Sequence, residues 1–204
     1  MSQITIQNQT ANDESVRVAV YKKPIVRPGT PTIAWQIVDP PPAGQSVVVV
    51  PADYTVFGQY SDEPNNPDGP QYTTNMITFN ELTARFEITA VTSPDRRATG
   101  ARIEQTFDDL VMNEVRVKNQ FRLGVWGHIQ KDGVDVYPAQ VIWPGGLLVE
   151  DLRSKVYVAV VNPFTHRGGR LVREETSLTE AAIPDGGTAT VTGSMWKGYA
   201  ITVD

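Results

Sequence analysis

His128 and His166 are the only histidines in the chain, and each carries a side chain able to act as a general base or a metal ligand. No His-x-His or His-x-x-x-His spacing occurs, so no single element presents two imidazoles to one ion. Both are therefore expected on loops or at the surface, with no bound metal and no cofactor. Thr165-His166-Arg167-Gly168-Gly169-Arg170 is a basic glycine-rich turn whose amides could cradle an anion. It lacks the lysine and the following helix of a phosphate loop, so a plain turn is the expectation. Asp62, Asn66, Asp68 and Gly69 resemble fragments of a calcium loop, but Pro64 stands at the first ligand position and no glutamate closes the site. Asp108-Asp109 and Glu174-Glu175 are adjacent carboxylates whose side chains point apart, which suits solvated charge rather than an acid–base pair. There is no Gly-x-Ser-x-Gly elbow and no cysteine. Enzymatic chemistry reduces to a hydrolase using one of the histidines, and a catalytic role is not expected.

Aromatic residues are better candidates for recognition. Tyr21 and Trp126 fall at equivalent positions on the polar faces of two similar strands, and Trp143 stands at a turn before Pro144. Exposed rings beside polar groups suit stacking on sugars, on small apolar ligands or on a second subunit. Trp35, Phe57 and Tyr157 are expected to line an apolar pocket between sheets if the protein is instead a small-molecule carrier.

The elements that must position these residues read as strands. Val16, Val18 and Val20 alternate with Arg17, Ala19 and Tyr21, the period of a half-buried strand. Phe121, Leu123 and Val125 alternate likewise with Arg122, Gly124 and Trp126. The uninterrupted run Val47 to Val50 suggests a strand covered on both faces. Lys131-Asp132-Gly133 and Asp185-Gly186-Gly187 mark turns, and the second feeds a strand over residues 188–192. Residues 101–107 are expected to pair with residues 86–91. Ser61 to Gln71 is a polar surface loop. Only Thr106-x-x-Asp109 and Ser177-x-x-Glu180 hint at short helical starts. With 15 prolines and 16 glycines distributed through the chain, long helices are excluded.

Several segments recur. Residues 4–9 are echoed by 115–120, residues 16–21 by 121–126, residues 36–40 by 140–144, and residues 86–91 by 199–203. The expected fold is all-β, a β-sandwich built from two internally repeated halves, immunoglobulin-like or jelly-roll-like, with little helix. Residues 1–92 would form the first sandwich repeat, 93–113 a connecting hairpin or short helical turn, and 114–204 the second, together making one compact body.

Composition sets further bounds. A hydrophobic share of 40% and a charged share of 20% match a folded globular chain. The net charge of −5 argues against a nucleic-acid partner, and the arginines from Arg167 to Arg173 are too local to reverse that. No run of about 18 apolar residues exists, so no membrane span is expected. The N-terminus lacks a basic and apolar leader, which points to the cytoplasm unless release follows a non-classical route.

Val18-Ala19-Val20-Tyr21-Lys22-Lys23, Ile33-Ala34-Trp35-Gln36 and Asp53-Tyr54-Thr55-Val56-Phe57 resemble the opening of the RhiA-type proteins, named for a rhizosphere-expressed bacterial protein. Residues 129–133 and 199–203 are similar to that family's later hairpin and final strand. The resemblance implies a soluble bacterial β protein, abundant and regulated with population density, and carries over no catalytic residue. The function expected is non-enzymatic: binding or self-assembly through outward aromatics, with carbohydrate, a small apolar ligand or a second copy as partner and a homo-oligomer as the expected state.

Overall fold

A computed structural model describes residues 2–11, 15–24, 31–64, 66, 68–93, 98–152, 155–171 and 179–204. The second residue of the Glu174-Glu175 pair and the first, with Arg173 and Ser177, lie outside them. Among the described residues the protein is all β, without helix. The chain begins with β1 (Ser2–Asn8), β2 (Val18–Lys22), β3 (Thr32–Ile33), β4 (Gln36–Val38) and β5 (Gln45–Val50). Next come β6 (Tyr54–Tyr60), β7 (Tyr72–Thr73), β8 (Ile77–Phe79), β9 (Ala84–Thr92) and β10 (Ala98–Thr106). β11 (Glu114–Asn119), β12 (Val125–Lys131), β13 (Val134–Asp135), β14 (Gln140–Ile142) and β15 (Leu147–Asp151) follow. The last are β16 (Val156–Val160), β17 (Arg170–Leu171), β18 (Ala181–Ile183), β19 (Thr188–Ser194) and β20 (Gly198–Val203).

These strands fall into two compact units. The first comprises Met1–Ala52, Val134–Pro138 and Ser154–Asp204, and the second Asp53–Gly133 and Ala139–Arg153. The division does not follow the expected boundaries at residues 92 and 114, because each unit draws strands from both stretches.

In the first unit one sheet runs β20-β19-β1-β5 and another β18-β16-β2-β4. In the second, one sheet runs β10-β9-β11-β15, while β12 pairs with β6 and β14, and β6 pairs with β8. Some pairings recur in both units, although β7 beside β6 and the β3–β17 pair have no counterpart. β1 is parallel to β19 with Asn8 opposite Val191, and β11 is parallel to β9 with Asn119 opposite Ile88. β2 is antiparallel to both β4 and β16, as β12 is to both β14 and β6.

Each unit buries the alternate residues of its strands. Ile4, Ile6, Val18, Val20, Val158 and Val191 are fully enclosed in the first, and Val56, Phe86, Ile88, Val115, Val117 and Val125 in the second. Burial on this scale stabilises by roughly 1.5–3 kcal/mol for each large apolar side chain. Gly58 and Gly127 face each other across β6 and β12. A Cβ on Gly58 would come within 2.6 Å of Val125 Cγ1, and one on Gly127 within 2.8 Å of Ile142 Cδ1. A side chain at either place would force its neighbours to shift.

The hairpin expected between residues 86–91 and 101–107 is present, with Ile88 opposite Ile103. Asp132 and Gly133 both adopt positive φ, 49° and 71°, as a two-residue hairpin turn of the primed type requires. Thr106 instead ends β10 and starts no helix, and Asp109 at φ 49° breaks any helical continuation. The run Val47 to Val50 is not covered on both faces. Val47 and Val49 are 50% and 44% exposed, since β5, an edge strand paired only with β1, buries one face alone, through Val48 and Val50.

Candidate functional site

The outer face of the β12–β14–β6 sheet in the second unit carries two exposed tryptophans, Trp126 and Trp143. Strand alternation puts Gly124, Trp126 and His128 on one side of the chain, away from the buried Val125 and Ile129. Trp126 lies opposite Val141 on β14 and opposite Gln59 on β6. His128 lies opposite Phe57, their rings parallel within 2° at a centroid separation of 4.6 Å.

Trp143 joins this face through its turn. Pro144 and Gly145, with Gly145 at φ 78°, form a type II turn closed by the Gly146 N–H donating to the Trp143 carbonyl at 2.7 Å. The indole is thereby laid over Gly124, where an added Cβ would come within 3.2 Å of Trp143 Cζ3. Trp126 and Trp143 are 48% and 69% exposed. Gly124 stands two residues before Trp126 in the chain, so both tryptophans belong to the same end of this face.

The corresponding face of the first unit is closed. By strand pairing Tyr21 and Tyr157 hold the places of His128 and Phe57, and they stack at 5.9 Å. Ala19 and Ala159 stand where Trp126 and Gln59 stand. A ribbon of β3 and β17 crosses this face, and its Ala34 and Leu171 pack on Ala19, Tyr21 and Ala159. Tyr21 is consequently 1% exposed, which corrects the expectation that it faces outward with Trp126. Its hydroxyl donates to Glu180 Oε2 at 2.6 Å, and Lys23 pairs with the other oxygen of that carboxylate. All of β2 is buried rather than half-buried, since the ribbon covers what would be its polar side.

Trp35 is buried and Tyr157 partly buried in the first unit, whereas Phe57 belongs to the second, so the three line no pocket within one unit. The turn at Thr165–Arg170 has no free glycine amides. Gly168 N–H donates to the Ala34 carbonyl at 2.8 Å and Gly169 N–H to the His166 carbonyl at 2.9 Å. Asn66 spends its side chain within its own loop, donating to Glu63 and accepting from the Asp68 amide.

A second feature escaped the sequence. On the outer face of β9 and β11, Arg85 lies directly opposite Arg116, and Lys118 opposite Glu87. Together with Asp109, Gly145 and Leu147, Arg85, Arg116 and Lys118 line a cleft of about 270 Å³. Arg85 donates to Asp109 at 2.9 Å, to Glu87 at 3.0 Å and to the Asp108 carbonyl at 2.9 Å. Hydrogen bonding to Asp109 first, and to Glu87 after it, holds the Arg85 guanidinium more firmly protonated than an ordinary arginine. The outward alternation of Arg116 and Lys118 was legible, but their meeting with Arg85 depends on a parallel pairing that nothing local encodes.

No family model matches the chain, and neither a curated protein nor a solved structure is similar to it. Among the described residues no helix is long and apolar enough to cross a membrane.

Proposed function

We propose that the protein is a non-enzymatic β protein that binds carbohydrate on the outer face of β12, β14 and β6. The observation that carries this is the pair of open indoles, Trp126 and Trp143, on a face whose counterpart in the other unit is covered. A pyranose presents a C–H-rich face to an aromatic ring, and its hydroxyls need amide partners, here Gln59. Large exposed tryptophans are costly to leave in water and are concentrated where binding energy is made.

A glycan array probed with the full chain tests the proposal, and binding that disappears in Trp126→Ala and Trp143→Ala is the expected outcome. An apolar carrier pocket finds less support, because Trp35 and Tyr157 pack into the first unit without Phe57.

Self-association is the second role we propose, on a different observation. β5 reads Gln-Ser-Val-Val-Val-Val, without charge, and is a sheet edge. Its counterpart β15 ends in Glu150 and Asp151, charges of the kind that discourage strand addition. A second copy pairing through β5 in antiparallel fashion would place no like charges opposite each other. The resemblance to RhiA-type proteins is compatible with either role.

A further inference from the structure

We propose that the cleft on the outer face of β9, β11 and β15 binds a small multivalent oxyanion, a molecule bearing phosphate or clustered carboxylates. It lies on the other sheet of the second unit from the aromatic face, touches the Trp143 turn only at Gly145, and does not rest on the carbohydrate proposal.

The placement of like charges is the first reason. Arg85 and Arg116 are register partners on adjacent parallel strands, an arrangement that repels unless anions are supplied. The protein supplies them unevenly. Arg85 is held by Asp109, Glu87 and the Asp108 carbonyl, which occupy its terminal nitrogens. Arg116 gives only its Nε, to Glu114 at 2.9 Å. Its two terminal nitrogens keep their donors, and among the described residues Lys118 Nζ has no hydrogen-bond or ion-pair partner.

The second reason is where those donors stand. Both side chains line the same cleft, whose charged lining is Arg85, Arg116 and Lys118 against Asp109 alone. The buried residues on either side of each cation, Val115 and Val117 on β11 and Phe86 next to Arg85, fix the outward direction of all three. Arg85 is pinned and so acts as a positioning residue for the Asp109 loop. Arg116 and Lys118 are the ligand-touching residues, the first offering a planar fork and the second a point charge. A volume of about 270 Å³ admits a small molecule.

Calorimetric titration of the full chain with pyrophosphate and with citrate tests this. Saturable one-to-one binding of either anion is expected, weakened at least tenfold in Lys118→Ala and in Arg116→Gln, and unchanged in Lys197→Ala, which removes an exposed lysine of the other unit. Circular dichroism of each variant separates lost binding from lost fold. No saturable binding of either anion, or equal affinity in the wild type and both cleft variants, would overturn the proposal.

Discussion

Asn8 and Asn119 share three hydrogen bonds of the same kind in two different units. Each is buried, at 1% and 0% exposure, and each ends the strand that runs parallel to its neighbour. Asn8 Nδ2 donates to the Pro40 carbonyl at 3.0 Å, and Asn119 Nδ2 to the Ile142 carbonyl at 2.7 Å. Asn8 Oδ1 accepts from the Thr10 amide, as Asn119 Oδ1 accepts from the Phe121 amide. Their own amides donate to Gly44 and Gly146, in the turns that lead to β5 and β15. One side chain thus ties a strand end to its flanking turns, its amide supplying both the donor and the acceptor.

Replacing Asn119 by Ala leaves the Ile142 and Leu123 carbonyls and the Phe121 amide without their partner. The expected loss is about 1–3 kcal/mol of stability for each group left buried and unsatisfied, before any relaxation. Asn119→Asp should also destabilise, because a carboxylate cannot donate to the two carbonyls. Urea denaturation of both variants against the wild type reads the effect, and an unchanged midpoint would remove the asparagine from this role.

The exposed edge β5 leads to an expectation in the opposite sense. Val49→Lys puts a charge on an outward position that is 44% exposed, so stability should change by no more than about 0.5 kcal/mol. If copies associate through β5, light scattering at high protein concentration should show the wild type as oligomer and the variant shifted toward monomer. A strictly monomeric wild type would dismiss association through this edge.

Arg17 and Asp39 form a bidentate pair in the first unit, both contacts 2.8 Å. The hydrogen bond from Arg17 holds the Asp39 carboxyl below its ordinary value against the opposing effect of burial, with the arginine charge assisting. A carboxylate with a depressed folded value contributes its full stabilisation above the ordinary value, about pH 4, and loses it as pH falls toward the folded one. The pair is 31% and 44% exposed, which limits the contribution to roughly 0.2–1 kcal/mol. Asp39→Asn should therefore lower stability at neutral pH by that amount and flatten its decline below pH 4. Thermal melts across pH 3–7 measure both, and parallel curves for variant and wild type would contradict the assignment.

Local pattern carried the strands, while their partners were hidden from it. The echo of residues 4–9 in 115–120 aligns Asn8 with Asn119, which the hydrogen bonds match. The echo of 86–91 in 199–203 does not hold in the same way, since β9 occupies the place of β19, and β20 that of β10. A period-two strand looks alike on either side of a hairpin, so composition alone could not separate the two.

Tyr21 was misplaced for a related reason. Whether an alternate residue faces water depends on what crosses the sheet, and here that is the two-residue strands β3 and β17, too short to leave a periodic signal. Val47 and Val49 failed in the reverse direction, a continuous apolar run whose second face no other strand covers. Trp126 and Trp143 were legible as outward aromatics because their strand and turn signals are local. The facing of Arg85 and Arg116 was not, because β9 and β11 meet only through a parallel register.

The central claim is that Trp126 and Trp143 together form a carbohydrate-binding face, and glycan-array binding by the wild type and by the Trp126→Ala/Trp143→Ala double variant tests it most directly. The account expects at least one neutral glycan bound saturably by the wild type and lost in the folded double variant. A wild type that binds no glycan, or a double variant that binds the same glycans equally well, would contradict it.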